Sequence, residues 1–273
     1  MSNVVALRAP SRDMTSQYAD WLSELGCSRA TIDQRTDFMV RVTQMWGTPA
    51  PATSVMTEWL SRFHGWTRRT YAGHLMSIHR WMLEDGQLDR LPLERYKRPP
   101  IPNPKPMPLT REQLEAALDT DDKRLRAWLL LGYLAGLRAH ELAKFHGRDI
   151  DERTVFVRGK GGDESMLPTH PALWALAQDF PRDDYWFPSP EAGHDHVSPE
   201  LVSLRIRQRF REIGVTRGAA HRLRYTYATH LSDSGAPIRV IQELLRHRSL
   251  ETTMRYVGVN DEAMRGAINA LAA

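Results

Sequence analysis

Cysteine occurs once in 273 residues, as Cys27, so neither a disulfide framework nor a multi-cysteine zinc site can form within one chain. No stretch approaches the roughly 20 apolar residues that a bilayer span requires. The opening MSNVVALRAPSRD lacks the apolar core of a secretory signal. The expected setting is a reducing cytoplasm with no membrane partner. A Gly-x-x-x-x-Gly-Lys-Thr phosphate loop is missing, as are a His-Glu-x-x-His pattern and a carboxylate cluster, so no cofactor and no bound metal are expected. What the chain does have is enough apolar residue, 41%, to bury the core of one large or two ordinary domains.

The formal charge is only +4, yet the cations are clustered. From Ser203 to Arg224 there are seven arginines and a single acid, Glu212. A run of this density is either a solvated face or the footprint of a polyanion, and nucleic acid is the first candidate. Between Pro92 and Pro108 stand seven prolines with Arg95, Lys97, Arg98 and Lys105 against one acid, Glu94. Proline fixes φ and removes a donor, so this stretch predicts an extended basic connector. The expected organisation is a helical domain over 1–96, a linker over 97–109 and a second domain over 110–273.

Before the linker the apolar spacing is helical. Tyr18, Trp21, Leu22 and Leu25 form one stripe, Ile32, Met39, Val42 and Met45 a second, Met56, Trp59, Leu60 and Phe63 a third, and Tyr71, Leu75, Ile78 and Met82 a fourth. Gly47 and Gly65 are placed as C-terminal stops. Four helices follow. The last carries Arg68, Arg69, His74, His79 and Arg80 off its stripe, which predicts either a wet face or a face turned to DNA.

Past the linker, Thr110-Arg-Glu-Gln113 has the pattern of a capping box. Leu125 to Ala135 reads as a buried helix stopped at Gly136. Val155-Phe-Val-Arg, a glycine-rich turn and Met166-Leu-Pro read as a β-hairpin with Lys160 at its tip. Helices resume at Pro199. The fold class is mainly α with a small β-sheet.

Four segments hold polar groups in apolar or glycine-marked company. Arg138 follows Gly136 at a helix start, where a cation gains nothing from the helix dipole, and Glu141 lies one turn on to hold it. Lys160 sits on a hairpin from which a cation could reach a cleft. His221 and Arg224 share one helical face while Leu223, Tyr227 and Leu231 occupy another. His247 precedes Tyr256 by nine residues. Taken singly, each is as well explained by an ordinary ion pair, an exposed lysine or a packing aromatic.

In order, however, these segments resemble the tyrosine recombinases of the phage integrase and Xer type, over essentially the whole chain. The residues that carry the likeness are Gly136-Leu-Arg138-Ala-His-Glu141-Leu, Gly159-Lys160-Gly, His221-Arg-Leu-Arg224-Tyr-Thr-Tyr-Ala-Thr-His230, and Leu245-Arg-His247 with Thr252-Thr-Met-Arg-Tyr256. Two departures stand out. Arg246 replaces the family's usual glycine before the histidine, and Asp163 stands where a second hairpin lysine is common; neither is expected to touch a catalytic position.

The resemblance implies an N-terminal core-binding domain and a catalytic domain, without an arm-binding domain. It implies that Tyr256 attacks a DNA phosphodiester, that Arg138, Arg224 and His247 hold the phosphate oxygens, that Lys160 protonates the leaving 5′-oxygen, and that His221 accepts a proton, with Glu141 in support. Expected DNA contacts are Arg68, Arg69, Arg80, Lys97, Arg98, Arg205, Arg207 and Arg209. The implied partners are double-stranded DNA carrying core-type sites, a homotetramer built on it from chains that are monomers in solution, and an accessory directionality factor, in a phage- or prophage-encoded protein. The tail Asp261 to Leu271 carries an apolar stripe that folds back in cis or passes to a neighbouring subunit. Two other readings share the pattern: a type IB topoisomerase, and a non-catalytic DNA-binding protein on the same scaffold.

Overall fold

The computed structural model of the chain describes residues 12–100, 107–159 and 164–247. They belong to two compact units, 1–104 and 105–273. In the first, α1 (Arg12–Glu24), α2 (Arg29–Trp46), α3 (Thr53–Ser61) and α4 (Gly65–Glu84) bury the apolar stripes in one core that includes Tyr18, Leu22, Met39, Val42, Leu60, Leu75, Ile78 and Met82. Two stripe ends stay outside it: Leu25 follows the last residue of α1, Met45 lies in the last turn of α2, and both are exposed.

Two expectations for this unit need correction. Gly47 ends α2 in the left-handed region, φ 73°, with its N–H on the Thr43 carbonyl. Gly65, by contrast, opens α4, and α3 has already stopped at Ser61. His74 and His79 do not form a wet or DNA-facing surface. Helices α1, α2 and α3 all pack on α4 and cover more than one of its faces, so both rings are buried. His74 packs against Phe38 with ring centres 5.0 Å apart, and the His79 Nε2 lies 3.3 Å from the Pro49 carbonyl oxygen. Burial, the main cause, lowers both imidazole pKa values to about 4, so both rings are neutral at pH 7.

The linker is held at its first end: Arg69 donates to the Pro99 carbonyl at 2.6 Å, and Arg98 donates to the Arg69 carbonyl at 3.3 Å. In the second unit, Leu109 is buried and its N–H donates to Thr226 Oγ1 at 2.9 Å.

The second unit begins with α5 (Arg111–Leu118), whose capping box is present: Gln113 N–H donates to Thr110 Oγ1, and the Gln113 side chain accepts from the Thr110 N–H. There follow α6 (Lys123–Leu134), the short α7 (Ala139–Ala143) and a 3₁₀ turn over Gly147–Asp149. The hairpin is an antiparallel pair of β1 (Thr154–Arg158) and β2 (Glu164–Pro168), in register from Thr154 opposite Pro168 to Arg158 opposite Glu164. Val155, Val157 and Leu167 face the core, as two-residue alternation requires. Among the described residues the unit continues with α8 (Pro171–Ala177), α9 (Pro199–Glu212), α10 (Ala220–Asp233) and α11 (Ile238–Leu245).

Helix α6 is the centre of this unit, with α5, α7, α8, α9 and α10 packed on it. Its contact with α10 depends on Gly132, because a Cβ there would stand 2.8 Å from Leu223 Cδ1. The close approach seats Leu223 in the core and fixes the rotation of α10. That rotation carries the next residue, Arg224, toward the loop after α6.

Candidate active site

Arg138 is the N-cap of α7, and Glu141 lies in the first turn of that helix. The carboxylate folds back so that Oε2 accepts the Arg138 N–H at 2.7 Å while Oε1 meets the Arg138 guanidinium at 3.1 Å. This satisfies an orphan donor of the helix end and leaves the Arg138 side chain partly exposed, at 34%. Glu141 itself is buried.

Two further guanidiniums reach the same place from distant chain. Arg224 of α10, fully buried, donates to the carbonyls of Gly136 and Leu245. Arg246, the residue after α11, donates from Nη2 to Glu141 Oε2 at 2.9 Å and to the Gly136 carbonyl at 3.3 Å. Gly136 has φ 60°, and a Cβ there would meet the Tyr227 ring at 2.7 Å, so this turn needs glycine. Burial pushes the Glu141 carboxyl upward, but Arg246 first, then the Arg138 N–H and the charges of Arg138 and Arg224, hold it below the usual carboxylate range.

Both predicted imidazoles stand in this field. His221, in the first turn of α10, packs edge-on to Tyr225 with ring centres 4.4 Å apart. Its pKa is lowered by burial and then by Arg224 and Arg138. His247 is lowered to about 3 by burial, then by Arg224, Arg138, His221 and Arg246. Each ring is therefore neutral at pH 7, able to donate from one nitrogen and accept at the other.

Of the predicted catalytic residues, Arg138, Glu141, His221, Arg224 and His247 are brought together. Lys160 and Tyr256 lie outside the described residues. Arg246 overturns one expectation, since it does touch the site through Glu141. Its signal in the sequence was the departure from glycine itself, which put the local backbone shape in doubt but did not give the direction of the side chain; the backbone keeps the left-handed conformation, φ 53°. Among the described residues no group of three His, Cys, Asp or Glu side chains converges as a metal-binding set.

The predicted DNA contacts divide. Arg80, Lys97 and Arg207 are exposed. Arg68 donates to the Tyr96 hydroxyl at 2.9 Å, Arg69 and Arg98 are engaged with the linker and α4, and Arg205 pairs with Asp122 at 2.8 Å. Arg209 turns inward, where it donates to the carbonyls of Ala116, Ala117 and Asp119 and so caps the C-terminal end of α5.

Comparison with known proteins places this geometry. Residues 108–263 match the phage integrase family, a span that includes every predicted catalytic position. The tyrosine recombinase XerA of Pyrococcus horikoshii is 28% identical over 266 residues, covering 94% of this chain and 92% of its own. The integrase from mycobacterium phage Brujita is 31% identical, with 92% of this chain and 89% of that one aligned at a TM-score of 0.51. At 15% identity, the Tn1549 transposon integrase in complex with circular intermediate DNA shares the fold, with a TM-score of 0.67 over 94% of this chain and 99% of that one. The chain belongs to the phage integrase family, and it is a site-specific recombinase of the tyrosine type.

Proposed function

We propose that this recombinase binds double-stranded DNA at core-type sites and exchanges strands through a covalent bond between Tyr256 and a 3′-phosphate. The observation that carries the reading is the convergence of Arg138, Arg224, His221 and His247 from three separated segments around the turn at Gly136. Two arginines offer planar N–H pairs to non-bridging phosphate oxygens, where charge grows as a phenol oxygen adds. His247 supplies a neutral N–H donor.

The tyrosine Oη forms a bond to phosphorus, and the bond from phosphorus to the 5′-oxygen breaks. The phenolic proton passes to neutral His221, and Lys160 protonates the departing 5′-oxygen. The phosphodiester is conserved as a phosphotyrosyl ester, so a 5′-hydroxyl can reverse the step without ATP or a metal ion. Attack by the hydroxyl of a second duplex completes an exchange. Recombinase and integrase relatives favour this over relaxation by a type IB topoisomerase or over binding alone. The proposal extends to a homotetramer on DNA, closed by exchange of the tail after residue 260, to an accessory directionality factor and to a phage or prophage origin in a bacterial cytoplasm. Two facts are compatible with it: similarity to a phage integrase, and the lack, among the described residues, of a helix long and apolar enough to cross a membrane.

The test uses duplexes selected by the wild-type protein from a random-sequence pool, then nicked beside the cleavage point so that the 5′-hydroxyl fragment diffuses away. Wild type is expected to accumulate a covalent protein–DNA adduct, and Tyr256→Phe to bind with unchanged affinity and form none. Equal adduct from both proteins, or none from wild type, would overturn the reading.

A further inference from the structure

Arg246 has the backbone of a residue that should be glycine. Its φ of 53° and ψ of 47° lie in the left-handed region, and it is the one non-glycine residue with positive φ among those described. A Cβ is disfavoured there, whereas glycine would close α11 without that cost. An arginine in this position needs a compensating interaction, and the structure supplies one through the side chain, not the backbone.

The side chain is nine-tenths buried, and its guanidinium lies 2.9 Å from Glu141 Oε2. Glu141 thus receives Arg246 on one oxygen and Arg138 on the other. With glycine at 246, Arg138 would be the sole guanidinium paired with the buried carboxylate, and much of its charge would be spent on that partner. With Arg246 present, two guanidiniums share that carboxylate. Less of the carboxylate's charge then falls on Arg138. Arg246 also grips the Gly136 carbonyl, which Arg224 shares, so a single side chain ties the end of α11 to the turn that places Arg138.

We propose that Arg246 is a positioning residue of the recombination site: it shares the charge of Glu141 and fixes that carboxylate, so that Arg138 is held in place with less of its charge neutralised before it meets the scissile phosphate. It acts through Glu141 and does not itself touch DNA. The inference rests on the recombinase reading above.

Three variants separate charge from shape: Arg246→Gly relieves the backbone, Arg246→Met keeps the apolar stem without charge, and Arg246→Lys keeps the charge. Single-turnover cleavage of the nicked duplex is measured at saturating protein, together with the half-saturating protein concentration and the melting temperature. The Gly and Met variants are expected to cleave roughly 10- to 100-fold more slowly, with unchanged half-saturation. The Lys variant should recover to within about fivefold of wild type, because it restores the cation beside Glu141. Wild-type rates in the Gly or Met variant, or equal losses in the Met and Lys variants, overturn the proposal. Failure of wild type itself to form an adduct sinks the recombinase reading instead, so the two failures are told apart.

Discussion

Replacing Glu141 with glutamine removes the carboxylate shared by Arg138 and Arg246 but keeps an oxygen for the Arg138 N–H. A buried guanidinium, that of Arg246, is left without its counter-charge. Breaking such a pair costs about 3 kcal/mol, so Glu141→Gln should lower the free energy of urea unfolding at pH 7 by roughly that amount. The pH dependence follows from the direction of the shift. The folded carboxyl titrates below its ordinary value of 4.5, so its contribution is fully present above that value and is lost as pH falls through the lower folded one. The gap between wild type and Glu141→Gln should therefore be constant near neutrality and shrink below about pH 4.5. A gap that widens in acid would contradict the assignment of charge.

At the scale of elements, the site depends on how closely α10 lies on α6. Gly132→Val places two methyls where the Cβ alone would already be 2.8 Å from Leu223 Cδ1 and 3.2 Å from its Cβ. Overpacking of this kind costs about 1–3 kcal/mol and is relieved by shifting the helix. Because α10 carries both His221 and Arg224, the expected result is a melting temperature lowered by several degrees and, at a temperature where the variant is folded, slower adduct formation. Unchanged cleavage with lowered stability would mean that the site tolerates movement of α10. The helices themselves were legible from local signals: the stripes of α1 to α4, and the Thr110-Gln113 box that starts α5. Which face of α4 meets solvent was not, because three helices pack on it and bury His74 and His79 along with the stripe.

For the molecule as a whole, the arginine runs resolve into cations that face water and cations that brace the fold. Exposed Arg207 and Lys97 are available to phosphates, whereas Arg209 is committed to the carbonyls at the end of α5. Each phosphate contact releases counterions, so Arg207→Ala and Lys97→Ala should each reduce the slope of log affinity against log salt by about 1. Arg209→Ala should leave that slope unchanged and lower the melting temperature. Fluorescence anisotropy over a sodium chloride series reads both slopes. A slope reduced by Arg209→Ala and not by Arg207→Ala would reverse the division.

Within this chain, periodicity, capping and motif order are local properties, and they alone determined the helical character, the hairpin and the likeness of Arg138, His221, Arg224, His247 and Tyr256 to a recombinase set. The roles assigned to Lys160 and Tyr256 still rest on that likeness. Only the tertiary structure decided which donors are already engaged. Arg209 and Arg246 both look like surface cations in a basic sequence, yet one caps a helix and the other shares a buried carboxylate with Arg138. The physical reason is that a guanidinium bonds whatever acceptor the fold brings within about 3 Å. For Arg209 and Arg246 those acceptors lie roughly 90 and 105 residues away along the chain.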